Sequence, residues 1–216
     1  HILKEDFAGF DAQLIIMDVV PWMLPYYEAS GIQFEIEDNR DYMDYTFTPE
    51  QFLAGMDMQD DRYRYNYFKR RFAYETEEIT PFHREEIREF MEREWCGEKT
   101  CEECHCGCLL RVIDNLVPVF DKIRINGILV RVEGKMAGLC IVSCRNGLGV
   151  YQYKNAVNRI KGINEYLLRE SFERYLQSAD TINYTEDMGV ENLRYYKEHM
   201  APAHTLLSKL TLTERG

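Results

Sequence analysis

Residues 127–143 contain two apolar stretches separated by a short polar turn, and this pattern indicates a β-hairpin. The stretches Gly127–Val132 and Met136–Ser143 are rich in the branched apolar residues that favour strands, and Glu133-Gly-Lys135 forms the turn between them. The two strands of a hairpin are antiparallel. The sheet that contains them is therefore not the all-parallel sheet of a doubly wound fold.

Strands and helices alternate after the hairpin. Apolar periodicity predicts strand 148–153, helix 164–176, strand 181–184, helix 190–199 and a closing strand 205–212. Upstream it predicts helices over 48–55, 60–72 and 109–120, another from residue 80, and a strand over 74–79. This order predicts an α+β fold with a mixed, mostly antiparallel sheet flanked by helices.

The first 40 residues form a separate, smaller pattern. A short apolar strand (13–19), a helix opened by Pro21 and ended by Gly31, and an alternating strand (32–37) make one α/β unit. Such a unit is too small for a core of its own, and the chain begins with His1. We expect residues 1–40 to be the end of a preceding domain and residues 41–216 to be the main one. The alternative is an N-terminal extension packed on that domain.

Charge and hydropathy restrict the possible partners. The chain has 26 Lys and Arg against 37 Asp and Glu, a net charge of −11. Such a surface repels phosphate backbones and anionic lipid on average, so a nucleic-acid partner is not expected. The longest apolar stretch, 13–22, contains Asp18 and is far shorter than the roughly 20 residues that span a bilayer. With no export signal either, the sequence predicts a cytoplasmic protein without a membrane segment.

Five cysteines lie close together in the sequence. They follow the pattern Cys96-x4-Cys101-x2-Cys104-x-Cys106-x-Cys108, with His105 among them, between two predicted helices. Only one Cys-x2-Cys pair is present, whereas zinc knuckles carry two separated pairs. Reduced structural thiols are therefore our main interpretation, so no metal ligand is assigned. A structural zinc at Cys96–Cys108 and a disulfide or redox pair are the alternatives.

The strand and helix order resembles the GCN5-related N-acetyltransferase fold. The run Ile182-Asn-Tyr-Thr-Glu-Asp-Met-Gly-Val-Glu-Asn-Leu-Arg194, followed by Lys197, resembles the C-terminal domain family of phosphatidylglycerol lysyltransferase. Other positions follow the same family order: Asp44-Tyr-Thr-Phe47, Leu53, Gly55, Arg62, Phe68, Gly134-Lys135 and Lys161-Gly162. The resemblance covers about residues 40–212. It implies two acyltransferase-like folds in tandem, and acyl transfer from acyl-CoA or aminoacyl-tRNA to an amine or hydroxyl.

The resemblance also assigns a donor site. In acetyltransferases the loop between a strand and the next helix holds the pyrophosphate of CoA. Here that loop consists of Arg159, Ile160, Lys161, Gly162, Ile163 and Asn164. Its cations add to a positive helix N-terminus; the alternative is an ordinary strand-to-helix turn. Tyr151 and Tyr153, on the strand before it, are expected to share one side and to line either an acyl tunnel or the core.

The acid–base groups are assigned in the same way. Glu186 follows a predicted strand, where a carboxylate could accept a proton from an amine, and Tyr196 lies on the next helix, where a phenol could protonate the leaving thiolate. The structural alternatives are a helix cap at Asp187, a pairing of Glu186 with Arg194 or Lys197, and core packing of Tyr196. Met200 stands where the family's characteristic Tyr falls, which weakens the assignment of a general acid.

The sequence thus predicts acyl transfer from acyl-CoA to an amine of a small acceptor. A non-catalytic, degenerate acyltransferase fold that binds a ligand or assists assembly is the first alternative. Aminoacyl-tRNA-dependent transfer is the second, and the acidic stretch 56–61 disfavours it, since relatives carry a basic stretch there. The basic, aromatic stretch 62–71 is interpreted as a solvated helix face. The oligomeric state is not predicted.

Overall fold

A computed structural model describes residues 14–96, 107–120, 122–123, 125–200 and 204–215 of the chain. The fold is α+β, as predicted. The strands are β1 Ile15–Val19, β2 Phe34–Asp38, β3 Asp44–Phe47, β4 Tyr74–Glu78, β5 Ile125–Val132, β6 Lys135–Arg145, β7 Leu148–Ala156, β8 Thr181–Asn183, β9 Thr205–Leu207 and β10 Leu210–Glu214. The helices are α1 Leu24–Glu28, α2 Pro49–Met56, α3 Gln59–Arg71, α4 Arg84–Met91, α5 Gly107–Leu116, α6 Ile163–Ser171 and α7 Glu191–Met200.

Short turns of other helix types join or extend these elements. The 3-10 turns are Pro21–Met23, Arg40–Tyr42, Pro81–His83 and Val117–Val119, and the π turns are Glu92–Cys96 and Phe172–Leu176. The helix predicted over 109–120 therefore changes to a 3-10 turn at Pro118, because proline lacks the N–H that would continue it. No helix in the described part of the chain is both long and apolar enough to cross a membrane.

The chain divides into two compact units. Unit 1 contains the residues up to 46, residues 185–198 and those from 204 onward, and unit 2 contains residues 47–184 and 199–203. The predicted assignment of residues 1–40 to a preceding domain stays a prediction.

Unit 2 is built on the predicted hairpin. Strands β4, β5, β6 and β7 are antiparallel neighbours in that order, and β8 lies parallel to β7. Glu133 and Gly134 both have positive φ in the hairpin turn, as its tight two-residue connection requires. Strand β8 pairs only with Leu148–Val150, the start of β7. In the described residues, the second half of β7 has no strand partner on that edge.

A β-bulge in β7 overturns the expectation that Tyr151 and Tyr153 share one side. Val142 pairs with Tyr151, and its neighbour Ile141 pairs with Tyr153, so the register shifts by one residue. Adjacent residues of β6 point to opposite faces, and paired residues share a face, so the two tyrosines lie on opposite faces. The Tyr151 hydroxyl donates to the Leu168 carbonyl of α6 at 2.8 Å, and the Tyr153 hydroxyl contacts the sulfur of Met91 in α4 at 2.9 Å.

The helices of unit 2 follow their sequence signals closely. Helix α2 starts with a complete capping box between Thr48 and Gln51 and has Pro49 in its first turn. The predicted helix 164–176 is α6 continued by the π turn. Buried apolar side chains of the sheet and helices make the core, among them Phe52, Phe68, Ile87, Phe90, Leu129, Leu139, Ile141, Leu167 and Phe172.

Unit 1 contains a small sheet in the order β1-β10-β2, with Val19, Leu210 and Leu212 in its core. The single closing strand predicted over 205–212 is wrong. Strand β9 pairs with β3, whereas β10 pairs with β1 and β2. The break at residues 208–209 has a physical reason, because Lys209 turns its ammonium to the carboxylates of Asp44 and Glu186.

Candidate active site

The carboxylate of Asp187 is the centre of a hydrogen-bond network in unit 1. Its side chain is fully buried. Arg40 Nη1 donates to it at 3.0 Å and the Tyr45 hydroxyl at 2.7 Å. Arg194 contacts both oxygens at 2.9 Å, and the Gly189 backbone N–H donates at 2.9 Å. Both oxygens of the carboxylate therefore accept hydrogen bonds, and these compensate for the burial of its charge.

These contacts determine the charge state of the network. Burial alone would raise the pKa of Asp187, but hydrogen bonds from Arg194, Tyr45 and Gly189 hold the pKa well below its usual range. Burial raises the pKa of the Tyr45 phenol, which Arg40 partly offsets. Asp187 is thus an anion and Tyr45 a neutral donor at neutral pH. Neither group is suited to exchange protons with a substrate.

The network ties the 3-10 turn near residue 40 to two adjacent segments about 150 residues later in the sequence. Arg40 Nη2 also donates to Glu198 at 3.1 Å, and Arg194 Nη2 donates to Asp41 at 2.6 Å. The 3-10 turn after β2, the loop after β8 and helix α7 therefore share one set of charges within unit 1. The Asp and Arg of the family pattern serve here to hold the loop that carries them.

That loop has a strained backbone. Thr185 and Met188 have φ of 59° and 53°, the left-handed region, which costs roughly 1–2 kcal/mol for a residue other than Gly. Lys197, only 3% exposed, donates to the Thr185 carbonyl at 3.1 Å and to the Glu186 carbonyl at 2.8 Å. The lysine thus satisfies carbonyls that this conformation turns inward, and the loop keeps one shape.

Glu186 stands on the same loop, with its carboxylate directed to a different partner. Lys209 Nζ donates to Glu186 Oε2 at 3.2 Å and lies 2.9 Å from Asp44. The expected pairing of Glu186 with Arg194 or Lys197 is wrong. Arg194 binds Asp187, and Lys197 donates to backbone carbonyls. Asp187 was expected to cap the next helix. Its carboxylate accepts a hydrogen bond from the Gly189 backbone N–H, two residues before α7 begins. The other predicted acid–base group, Tyr196, is half-buried on α7.

The predicted donor loop lies in unit 2, between β7 and α6. Arg159 and Lys161 are exposed in its turn, Ile160 is half-buried and Ile163 is fully buried. Gly162 is the N-cap of α6, with φ of 88° and no side chain to cap the helix. A Cβ on Gly162 would lie 2.1 Å from the Arg64 carbonyl oxygen of α3. Close packing against α3 therefore requires this glycine, whatever the loop binds.

A half-buried cation stands beneath the first turn of α6. Lys154, near the end of β7, donates to Asn164 Oδ1 at 2.8 Å, and the neighbouring Glu165 pairs with Arg64 at 3.2 Å. Burial lowers the pKa of Lys154, while Cys140 and Glu165 act in the opposite direction. Lys154 thus fixes the Asn164 side chain beneath the loop.

Asp61, on α3, gives a prediction about stability and pH. Burial, and then the charge of Glu165, raise its pKa from 3.8 to about 6. The folded chain then binds more protons than the unfolded chain between about pH 4 and pH 6, so the stability contributed by Asp61 falls as pH rises through that window. We expect Asp61→Asn to increase the free energy of unfolding by about 1 kcal/mol at pH 7.5, after allowance for partial exposure.

Urea denaturation at pH 4 and pH 7.5 checks this expectation. The gain from Asp61→Asn should shrink toward zero at the lower pH. Asp60→Asn, the same change on the neighbouring exposed residue, is the control; the charge of Asp60 makes only a minor contribution to the raised pKa of Asp61, so this variant should change the difference between the two pH values much less. An equal gain from Asp61→Asn at both pH values would contradict the raised pKa.

Several residues of these two regions were not predicted from the sequence. Arg40 and Tyr45 were missed because their partner Asp187 is more than 140 residues away along the chain. Lys154 carried no motif, although it is the one charged residue of the strand before the loop, and this was an available signal. The side chains of the cysteine cluster lie outside the described residues, so the zinc question stays open. Among described residues, no group of His, Cys, Asp or Glu could hold a metal ion.

Solved structures with the same architecture include three informative ones. A conserved protein of unknown function from Bacteroides thetaiotaomicron is 25% identical with a TM-score of 0.82, over 99% of this chain and 74% of its own. L-PGS from Bacillus licheniformis is 14% identical with a TM-score of 0.69, over 100% and 72%. A GCN5-related N-acetyltransferase from Kribbella flavida is 11% identical with a TM-score of 0.51, over 99% and 73%.

These likenesses confirm the predicted acetyltransferase-like fold. No curated protein matches the chain. The sequence profile described as phosphatidylglycerol lysyltransferase, C-terminal, matches residues 2–208, which is nearly the whole chain. The chain belongs to the phosphatidylglycerol lysyltransferase C-terminal family.

Proposed function

We propose that this protein is an acyltransferase that moves an acyl group from acyl-CoA to the amine of a small acceptor. Family membership and the acetyltransferase-like fold support a transferase. The observation that carries the choice of donor is the start of α6. The N-terminus of α6 has no side-chain cap, and the loop that connects it to β7 carries two exposed cations. Strand β8 pairs with only three residues of β7.

The physical case for the donor site combines shape and charge. The backbone N–H groups of the first turn of a helix attract anions, and Gly162 leaves them without a side-chain cap. Arg159 and Lys161 stand in the same loop, and Lys154 lies beneath it. Together these features suit a pyrophosphate.

In the proposed reaction, the nitrogen of the acceptor amine attacks the thioester carbonyl, a C–N bond forms and the C–S bond breaks. Glu186 accepts the proton lost by the amine, and Tyr196 donates a proton to the leaving CoA thiolate. Solvent then restores both groups. Because Lys209 holds the Glu186 carboxylate in the free protein, the incoming amine must replace that ion pair.

The same ion pair supports a second candidate function. A Glu186 that stays bound to Lys209 accepts no proton, and the chain would then bind CoA or a related ligand without turnover. Binding and product formation therefore have to be measured separately.

Calorimetric titration with acetyl-CoA tests the donor site, with Arg159→Glu as the variant. Arg159 is exposed, so the fold should persist, and the reversed charge should weaken binding about ten-fold or more. Arg145→Glu is the matched control, since it makes the same change at an exposed position at the end of β6, opposite the start of β7. The absence of heat with the intact wild-type protein, or equal weakening by both variants, would overturn the proposed donor site.

Mass-spectrometric detection of acylated amines then separates catalysis from binding. If the protein is an enzyme, Glu186→Gln should lower kcat by about a hundred-fold and leave acetyl-CoA affinity unchanged. Tyr196→Phe should lower kcat by a smaller factor. Acetyl-CoA binding without any acylated product, across a panel of small amines, would favour the non-catalytic function.

A further inference from the structure

Helix α3 presents two tyrosines side by side at the donor loop. Tyr63 and Tyr67 are one turn apart, with ring centroids at 6.1 Å and planes inclined by 39°. Tyr63 is 51% exposed, so a large part of its ring remains open to solvent. Lys161 places its ammonium over both rings, 4.9 Å and 5.2 Å from their centroids. We call Tyr63, Tyr67 and Lys161 the tyrosine platform.

The platform differs from the other tyrosine arrangement on the same helix. Tyr65 is roughly 200° around α3 from Tyr63. It stacks on Tyr166 of α6, with centroids at 6.0 Å and planes inclined by 15°, and Tyr166 is itself buried. Tyr65 therefore packs one helix on another. Half-exposed Tyr63 contributes much less to packing, so an aromatic ring there needs another explanation.

The charge around the platform contrasts with that of the whole chain. The net charge of the protein is −11, yet Arg62, Arg159 and Lys161 are all exposed at this place. Asp60 and Asp61, in the first turn of α3, are opposing charges, whereas Arg159 and Lys161 both stand in the donor loop. An aromatic surface with cations along one side complements a planar base that carries phosphate.

We propose that the tyrosine platform binds the purine nucleotide end of the acyl donor. The base stacks on the open part of the Tyr63 ring beside Tyr67, and Lys161 contacts the phosphate attached to the nucleoside. Stacking on aromatic side chains tolerates any base, and every such contact with an exposed ring displaces water from apolar area. The platform deepens the proposed function, since it rests on a donor that contains a nucleotide.

Two donors contain this chemistry, adenosine 3′,5′-bisphosphate within CoA and the terminal adenosine of an aminoacylated RNA. The probes are therefore adenosine 3′,5′-bisphosphate, acetyl-CoA, pantetheine 4′-phosphate and a short RNA that ends in CCA. Tyr63→Leu removes the aromatic face but keeps apolar volume. Tyr65→Leu is the matched control on the same helix, and circular dichroism checks that both variants fold.

Calorimetry on the full chain should give a dissociation constant for adenosine 3′,5′-bisphosphate that rises about ten-fold in Tyr63→Leu and by less than about two-fold in Tyr65→Leu. Pantetheine 4′-phosphate, which has no base, should bind both variants alike. Lys161→Gln should lower the affinity for adenosine 3′,5′-bisphosphate and reduce the salt dependence of that affinity. If only the RNA binds, and binds through Tyr63, the platform is supported and the CoA donor is rejected.

The outcomes keep the two proposals distinct. If acetyl-CoA binds the wild-type protein and Tyr63→Leu equally well, the platform is overturned and the donor loop stands. If adenosine 3′,5′-bisphosphate binds through Tyr63 but acetyl-CoA does not bind, the platform stands and the acyl-CoA proposal fails. If neither nucleotide nor RNA binds the wild-type protein, both are overturned.

Discussion

Asp187→Asn should destabilise the protein by about 3 kcal/mol or more, because it removes the negative charge that Arg40 and Arg194 share at the centre of the network. Asparagine has nearly the same shape as aspartate, so the loss measures charge rather than volume. For a chain of this length, 3 kcal/mol corresponds to a fall in Tm of roughly 10 °C. Urea and thermal denaturation followed by circular dichroism give both quantities.

Glu186→Gln is the control for this prediction. It makes the same chemical change on the adjacent residue, but Glu186 is partly exposed and its partner Lys209 keeps a second carboxylate, Asp44, at 2.9 Å. A partly exposed ion pair contributes little, so we expect a loss below about 1 kcal/mol. Similar losses in the two variants would refute the view that Asp187 holds the loop and that Glu186 is available for chemistry.

The pH dependence of stability provides an independent check. The folded pKa of Asp187 is held below the value of an unfolded aspartate, about 3.9, so its stabilisation is present above about pH 5. It is lost as pH falls through about 4 toward the lower folded value. The stability difference between wild type and Asp187→Asn should therefore shrink below about pH 4. A constant difference from pH 7 to pH 3 would indicate that folding does not lower the pKa of Asp187.

The order of secondary structure was largely predictable, because it depends on local signals. The hairpin at Gly134, the capping box at Thr48 and the apolar periodicity of α6 are all contained within a few residues. Two errors arose where a longer-range interaction decided the outcome. The bulge that separates Tyr151 from Tyr153 depends on pairing with β6, and the break between β9 and β10 depends on the ion pairs of Lys209.

The candidate site was predictable only in part, for the same physical reason. Asp187 and Arg194 lie seven residues apart in one family pattern, but the sequence interpretation paired Arg194 with Glu186, whereas in the structure it binds Asp187. Arg40 contacts Asp187 from the other end of the chain, and the charge of Arg40 alone does not indicate which carboxylate it binds. Sequence placed Gly162 in the loop that is expected to hold the pyrophosphate of CoA. The group that lies close to Gly162 in the folded chain is the backbone carbonyl of Arg64, whose oxygen would be 2.1 Å from an added Cβ.

This close approach leads to the second large expected effect. Gly162→Ala should destabilise unit 2 by about 3 kcal/mol, for two reasons that add. The residue has φ of 88°, where an L side chain costs roughly 1–2 kcal/mol. The new Cβ would also lie 2.1 Å from the Arg64 carbonyl oxygen and 2.8 Å from its carbon, so the backbone of α3 must move. Chemical denaturation of the purified variant measures the loss.

Gly134→Ala separates these two contributions. Gly134 has φ of 74°, similar to that of Gly162, but its Cβ would meet no atom within 4 Å. It should therefore cost only the backbone strain, about 1 kcal/mol. The difference between the two variants, about 2 kcal/mol, is the packing of α3 against the start of α6. Equal losses would mean that α3 is free to retreat from Gly162. The N-terminus of α6 would then not be held rigidly enough to position the phosphates of a donor.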